Sequence, residues 1–257
     1  MANPLILLSN DDGYASPGIR AMRAVLVKGG ADVVVLAPEI EQSASSHSLS
    51  LHRPMRLRIV EPDVFALDGT PADCVYVALY AGTRVLARKP DLVVSGINHG
   101  MNLGQDAFYS GTIAAAREGA LRGIPGVATS AHTSLELGRV AEASAQIALE
   151  LLRMAAASHP QAHGPLVSLN FPAGWRGELR AARLGTRIYD EIVDFRVDPR
   201  DREYLWVGGP GVRHERDAGT DTEAYDEGVA SITPLLLDLT DHAQCPMAAS
   251  LARHVTR

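Results

Sequence analysis

Two adjacent acidic residues, Asp11 and Asp12, follow a short apolar run at residues 5–8 and precede Gly13. Four apolar residues bounded by turn formers predict a strand that is buried on both faces. In an open α/β sheet, ligands bind outside the carboxyl ends of the strands. Neighbouring carboxylates repel each other there, so a hard divalent cation would compensate them. The alternative is a solvated turn, because Asp, Asn and Gly are common turn residues.

Two more polar segments also follow predicted strands. Residues 32–36 form a second apolar run, and the serine-rich segment 39–50 leaves from its carboxyl end. Residues 91–95 form another buried strand, and glycines and asparagines alternate with other residues in the loop 96–104 after it. Glycines let backbone amides approach a ligand closely, whereas serine-rich loops are commonly only solvated.

The segment Ser110-Gly111-Thr112 opens an alanine-rich helix at residues 113–121. A helix start of small residues after a glycine loop can hold a phosphate on its amide groups. The Gly-Lys-Ser/Thr ending of the Walker motif is absent, and simple capping explains such a start as well. Because right-handed βαβ units bring the carboxyl ends of parallel strands to one edge, we expect the four segments to share one site.

Strand and helix signals alternate regularly as far as residue 171. Periodicity and capping predict helices at 18–28, 71–80 and 135–155, and strands at 126–130 and 166–171. After about residue 175 the pattern changes to extended segments and glycine-rich loops. We therefore predict a single α/β domain over 1–257, with a catalytic core at 1–175 and a strand and loop extension at 176–257. Such an extension often packs against another subunit.

The composition is that of an ordinary globular protein of 257 residues, with 46% hydrophobic and 21% charged residues. A net charge of −6 argues against a nucleic-acid polymer held on a basic face. Cys74 and Cys245 lack metal-ligand spacing, so both are predicted to be small core residues in a reducing compartment. The first residues lack a basic segment, and their apolar run is too short to span a membrane. A cytoplasmic location without membrane attachment is the expectation.

Five ordered motifs resemble those of the SurE family of survival-protein phosphatases. They read SNDDG at 9–13, APEIEQSA at 37–44, SGINHGMN at 95–102, YSGTIAAAREG at 109–119 and SITPL at 231–235. The resemblance extends from about residue 4 to residue 239. It implies a Rossmann-like, three-layer core with a mostly parallel sheet. It also implies that the C-terminal strands join or swap between the subunits of a homodimer or homotetramer.

The resemblance further implies a metal-dependent nucleotidase that hydrolyses nucleoside 5′- and 3′-monophosphates to nucleoside and phosphate, with short polyphosphate as another candidate substrate. One divalent cation per subunit, Mg²⁺ or Mn²⁺, would be held by Asp11, Asp12, Ser43 and Asn98. Two carboxylates, a hydroxyl and an amide carbonyl form an all-oxygen site, which suits these ions better than zinc. The residues expected near the phosphate are Asn10, Asn98, Gly100, Asn102, Ser110, Gly111 and Thr112.

Asp11 and Asp12 are the predicted catalytic residues, and one of them is expected to take a proton from the attacking water. A covalent aspartyl-phosphate on Asp11 is the other route. His99, next to the predicted ligand Asn98, is either an exposed bystander or a group that contacts the substrate or donates a proton to the leaving group.

The sequence motifs match two other protein classes, a signalling module and another type of phosphatase, less well. A receiver module needs an aspartate at the end of a later central strand and a lysine at another, but the chain has Ser95-Gly96 and Thr129-Ser130 there. A haloacid-dehalogenase-type phosphatase needs two carboxylates separated by one residue, and here they are adjacent. A nucleotide-binding module without turnover stays open as the alternative to an enzyme.

Overall fold

One large mixed sheet organises the fold, in a computed structural model that describes residues 3–157, 162–190, 192–209 and 211–255. The strands are β1 (Leu5–Ser9), β2 (Asp32–Pro38), β3 (Leu57–Glu61), β4 (Val64–Leu67), β5 (Leu92–His99), β6 (Gly126–Ala131), β7 (Leu166–Phe171), β8 (Leu179–Ala181), β9 (Arg187–Tyr189), β10 (Val193–Val197), β11 (Glu203–Val207), β12 (Val212–His214) and β13 (Ala230–Leu235). The helices are α1 (Pro17–Lys28), α2 (Pro71–Tyr80), α3 (Asp106–Tyr109), α4 (Gly111–Leu121), α5 (Leu137–Ala157), α6 (Asp221–Asp226) and α7 (Cys245–Val255).

The sheet has nine strands in the order β3-β4-β2-β1-β5-β6-β7-β13-β8. The six strands from β4 to β7 in this order run parallel, whereas β3 is antiparallel to β4 and β13 is antiparallel to β7. From β1 the chain first builds the sheet outward through β2 and β4, and then returns to place β5 on the other side of β1. The strand order therefore reverses between β1 and β5, which is where doubly wound sheets bind ligands.

Helices cover both faces of the sheet. Alternate residues of β1 point to opposite layers, so that Ile6 and Leu8 pack with α1 and α5, whereas Leu5 and Leu7 pack with α2 and α4. All five residues of β1 are buried. This burial on both faces explains why the strand reads as an unbroken apolar run. The predicted α/β class, with a mostly parallel sheet and three layers, is confirmed.

The C-terminal part contributes to the core sheet as well as to separate hairpins. β13 pairs with β7 and carries β8 on its other side, so the sheet extends beyond residue 176. Two small antiparallel pairs, β10 with β11 and β9 with β12, stand outside the sheet. The helix α7 has no buried residue. The prediction for Cys245 was wrong, because this residue is exposed at the start of α7, whereas Cys74 is buried as predicted.

Across the residues that the structure describes, no helix is long and apolar enough to cross a membrane.

Candidate metal and phosphate site

The turn after β1 directs two carboxylates to the carboxyl edge of the sheet. Asn10 holds this turn, because its Nδ2 donates to the Gly13 carbonyl at 2.9 Å and to Ser16 Oγ at 2.8 Å. Ser16 is also the N-cap of α1, so the same contacts tie the acidic turn to the helix that follows. Asn10 Oδ1 is buried without a hydrogen-bond partner among the described residues. Whether Asn10 also contacts phosphate stays a prediction.

Asp11 lies between β1 and the start of α4. Its side chain is 6% exposed, and its Oδ1 accepts a hydrogen bond from Thr112 Oγ1 at 2.5 Å. The Asp11 carbonyl accepts from the backbone N–H of Gln42 at 2.8 Å, which brings the serine-rich loop to the same point. Burial raises the pKa of Asp11 to about 6, and the neighbouring charge of Asp12 adds to this effect.

Asp12 points toward the loop after β5. Its Oδ2 accepts a hydrogen bond from the backbone N–H of His99 at 3.1 Å, so the residue next to Asn98 is fixed against this carboxylate. Burial raises the pKa of Asp12, and Glu41 contributes in the same direction. Thr112 and His99 thus contact the two carboxylates, and Gln42 contacts the backbone carbonyl between them.

Ser43 lies on the exposed surface of the serine-rich loop. Its Oγ donates to Glu41 Oε1 at 2.6 Å. The loop is fastened over the start of α4, because Ser46 Oγ donates to the Phe108 carbonyl at 2.7 Å. Its neighbour His47 contacts the buried Glu118 of α4, with 2.8 Å between Nε2 and Oε2. The segment is thus an ordered part of the site rather than a merely solvated loop.

The end of β5 and the glycine-rich loop after it are held mainly by contacts to β6 and β7. Asn98 Nδ2 donates to the Gly100 carbonyl at 3.0 Å, which leaves Asn98 Oδ1 for another partner. The N–H of Gly100 donates to the Ala131 carbonyl. The backbone N–H of Asn102 donates to Asn170 Oδ1, the Asn102 carbonyl accepts from Asn170 Nδ2, and Asn102 Nδ2 donates to Ser130 Oγ. These contacts favour a supporting role for Gly100 and Asn102 over direct contact with phosphate, which stays a prediction for both.

The start of α4 is the predicted phosphate seat at this edge. Ser110 is the N-cap, and its Oγ accepts from the backbone N–H of Ile113 at 3.1 Å. Gly111 and Thr112 are buried beside Asp11; a Cβ added to Gly111 would lie 2.9 Å from the Asp11 Cβ and 2.9 Å from Ser45 Oγ. Only glycine lets the helix approach the carboxylate this closely. The positive end of α4 therefore faces the acidic turn.

The donor set fits a hard divalent cation. In the described part of the chain, no three His, Cys, Asp or Glu side chains gather into a metal-binding group, and neither Asp11 nor Asp12 forms an ion pair with lysine or arginine. The two carboxylates are thus uncompensated, and Ser43 and Asn98 stay the predicted neutral oxygen ligands. Such an all-oxygen set suits Mg²⁺ or Mn²⁺.

Two supporting residues were missed by the sequence analysis. Glu118 is 2% exposed in α4. The sequence feature that could have identified it is a charged residue on the buried face of an alanine-rich helix. Asp221 is fully buried and accepts from the N–H groups of Gly104 at 2.9 Å and Gly185 at 2.7 Å. Asp221 thereby joins the glycine-rich loop to the C-terminal part. Nothing in the local pattern around Asp221 points to these distant partners.

Comparisons with known proteins identify the family of this chain. The family described as survival protein SurE matches residues 6–191. The chain is 61% identical to the protein named 5′-nucleotidase SurE of Sorangium cellulosum, over 92% of this chain and 91% of that protein. It is 45% identical to the protein of the same name from Methylococcus capsulatus, over 91% and 92% of the two chains. The crystal structure of the SurE protein from Aquifex aeolicus superposes with a TM-score of 0.79 at 35% identity, covering 97% of this chain and all of that one. This chain therefore belongs to the SurE family of survival proteins.

Proposed function

We propose that this protein is a divalent-metal-dependent phosphomonoesterase that hydrolyses nucleoside 5′-monophosphates, and also 3′-monophosphates, to nucleoside and phosphate. The observation that supports the proposal is the convergence on two adjacent acidic residues. Asp11 is contacted by Gln42 and Thr112, and Asp12 by His99, so the loop after β2, the end of β5 and the start of α4 meet at one point. The relatives named 5′-nucleotidase SurE support the same reaction.

Asp11, Asp12, Ser43 and Asn98 would hold one Mg²⁺ or Mn²⁺ ion per subunit. When bound, the ion would supply Lewis acidity and positive charge to offset the charge on the phosphoryl group. The chain itself supplies the positive end of the α4 dipole, which would favour the remaining phosphate oxygens.

The chain also supplies a proton acceptor for the attacking water. A carboxylate within reach of the attacking water can take its proton, and Asp11 lies at the centre of the site. Asp12 is more exposed than Asp11 and is also available for this role. Attack by water is the proposed route, and a covalent phosphoryl group on Asp11 is the alternative, since Thr112 engages only one of the two Asp11 oxygens.

The proposal is tested by a substrate panel run with EDTA, Mg²⁺ or Mn²⁺. The panel contains 5′- and 3′-monophosphates of the four ribonucleosides, p-nitrophenyl phosphate and tripolyphosphate. We expect phosphate release from the nucleoside 5′-monophosphates with either metal, and loss of this activity with EDTA. Nucleotide binding without release of phosphate would instead show a non-catalytic binding module and contradict the proposal.

We also infer that the protein forms a homodimer or homotetramer through its C-terminal part. In the β10–β11 hairpin, the register places five apolar residues on one face, and their exposed fractions run from 49% to 79%. They are Val193, Phe195, Val197, Leu205 and Val207. A contiguous apolar face of this kind marks an interaction surface, and a second copy of the chain is the partner that the family resemblance implies.

Replacing Phe195 and Leu205 together with serine is expected to lower the oligomeric state, because both side chains lie on the apolar face of the hairpin. Light scattering after gel filtration measures the mass. The control is Leu51→Ser, which removes another exposed leucine, 77% exposed, that is not part of the hairpin. An unchanged mass in the double variant would contradict this interface. Truncation at Asp190 is a poorer test, because it also removes β13 from the core sheet.

A cytoplasmic location, and the absence of nucleic-acid and membrane partners, stay predictions from the sequence.

A further inference from the structure

A pocket of about 660 Å³ opens beside Asp12, between the amino end of α1 and the loop that joins β6 to α5. Asp12, Asn98 and His99 form one side of it. Most of the remaining lining is apolar and comes from Ala15, Pro17, Ile97, Ala131, Leu135 and Leu137. Its size is within the range of small-molecule sites, which is roughly 300–1,000 Å³.

The pocket lies on the opposite side of the acidic turn from the phosphate seat. The amino end of α4 contacts Asp11 through Thr112 and belongs to the layer of α2 and α4. The pocket is bounded by α1 and by the loop before α5, which belong to the other layer. A phosphomonoester that binds with its phosphate at the start of α4 and extends across the acidic turn would therefore place its leaving group in this pocket.

His132 gives the pocket a defined hydrogen-bond donor. Its Nδ1 accepts from the backbone N–H of Ser134 at 3.2 Å and lies 2.9 Å from Ser134 Oγ. Because Nδ1 is an acceptor, the neutral imidazole carries its proton on Nε2. His132 is half-buried in the wall of the pocket, and its Nε2–H forms no hydrogen bond with another described residue.

We propose that this pocket binds the nucleoside part of the substrate, with the base against the apolar wall and His132 Nε2–H donating to a sugar hydroxyl. This proposal rests on the proposed nucleotidase function and names the part of the chain that selects the leaving group. His132 is then a specificity-determining residue, and Leu135 and Leu137 supply apolar surface for a flat base. An apolar wall with one oriented donor is the usual composition of a small-molecule site.

The test compares two substitutions of His132. His132→Phe keeps a ring of similar size and removes the donor, whereas His132→Gln keeps a donor at similar reach. For adenosine 5′-monophosphate, we expect His132→Phe to raise KM about fivefold to tenfold, which corresponds to the loss of one hydrogen bond. We expect kcat to change much less than KM. We expect His132→Gln to recover part of this loss. His52→Phe, at an exposed histidine outside the pocket, is the control.

A second variant and a measurement without turnover keep the proposal falsifiable. Thr133→Trp adds a large side chain at an exposed position in the pocket lining. Calorimetric titration with adenosine should show binding to the parent protein that Thr133→Trp abolishes, while inhibition by inorganic phosphate is unchanged. Wild-type adenosine affinity and wild-type KM in both Thr133→Trp and His132→Phe would overturn the pocket assignment. A parent protein that binds adenosine but releases no phosphate from any substrate would contradict the proposed function and leave the pocket supported.

Discussion

Replacing Asp12 with asparagine is expected to lower phosphate release from nucleoside 5′-monophosphates by roughly a hundredfold to a thousandfold, the usual effect of removing one group that stabilises a transition state. Asparagine has the shape of aspartate, and its Oδ1 can still accept the hydrogen bond that the N–H of His99 gives to Asp12. The loop after β5 should therefore stay in place. What is lost is one of the two negative charges that would hold the cation.

Asp11→Asn is expected to have an effect of similar size for the same reason, since its oxygen can still accept from Thr112. Removing this buried acid also removes the group whose pKa lies at about 6. Steady-state kinetics measures the loss, thermal unfolding checks the fold, and equilibrium dialysis with Mn²⁺ measures the cation. Asp32→Asn, at an exposed acid at the start of β2, is the control. Turnover near that of the parent in both variants would refute the proposed metal ligands.

The sequence predicts those parts of the site that depend on local features, namely a buried strand and the caps of helices. β1 is buried on both faces, so its apolar run is continuous, and the residues after it must emerge at the carboxyl edge of a parallel sheet. The N-cap residues Ser110 and Thr70 likewise predict the starts of α4 and α2 from the sequence. Chain order and the handedness of βαβ units then bring the polar loops together.

Contacts between distant residues left no such pattern. His47 and Glu118 are 71 positions apart, and Asp221 and Gly104 are 117 apart. Periodicity reports which face of an element is buried, and it does not report which buried polar group meets another. The insertion of β13 beside β7 is a further example, since an apolar strand near the end of the chain can pair at either edge of a sheet or with another subunit.

Helix α7 was not predicted from the sequence, for a different reason. All of its described residues are exposed, including Met247, Leu251 and Val255. These three residues recur at four-residue spacing and form an apolar stripe that is exposed among the described residues. A helix that buries no face against the rest of the described chain lacks the intramolecular context that would identify it.

Gly111→Ala is expected to lower turnover about a hundredfold, because it changes the contact between α4 and Asp11. The added Cβ would lie 2.9 Å from the Asp11 Cβ, 2.9 Å from Ser45 Oγ and 3.0 Å from Pro71 Cγ. All three positions belong to well-packed segments, so the methyl group must push the carboxylate or the helix aside. A displacement of about 1 Å at a reacting group can cost two orders of magnitude in rate.

The effect of Gly111→Ala on stability should be much smaller than its effect on rate. Alanine is the better helix former by about 1 kcal/mol, which offsets part of the roughly 1–3 kcal/mol cost of overpacking. The matched control is Gly138→Ala in the first turn of α5, where the nearest atom to the added Cβ is Glu136 Oε1 at 3.4 Å. This control should keep full activity and gain up to about 1 kcal/mol of stability. If Gly111→Ala behaves like Gly138→Ala in both kinetics and thermal unfolding, α4 does not position Asp11, and the phosphate seat must lie elsewhere on the sheet edge.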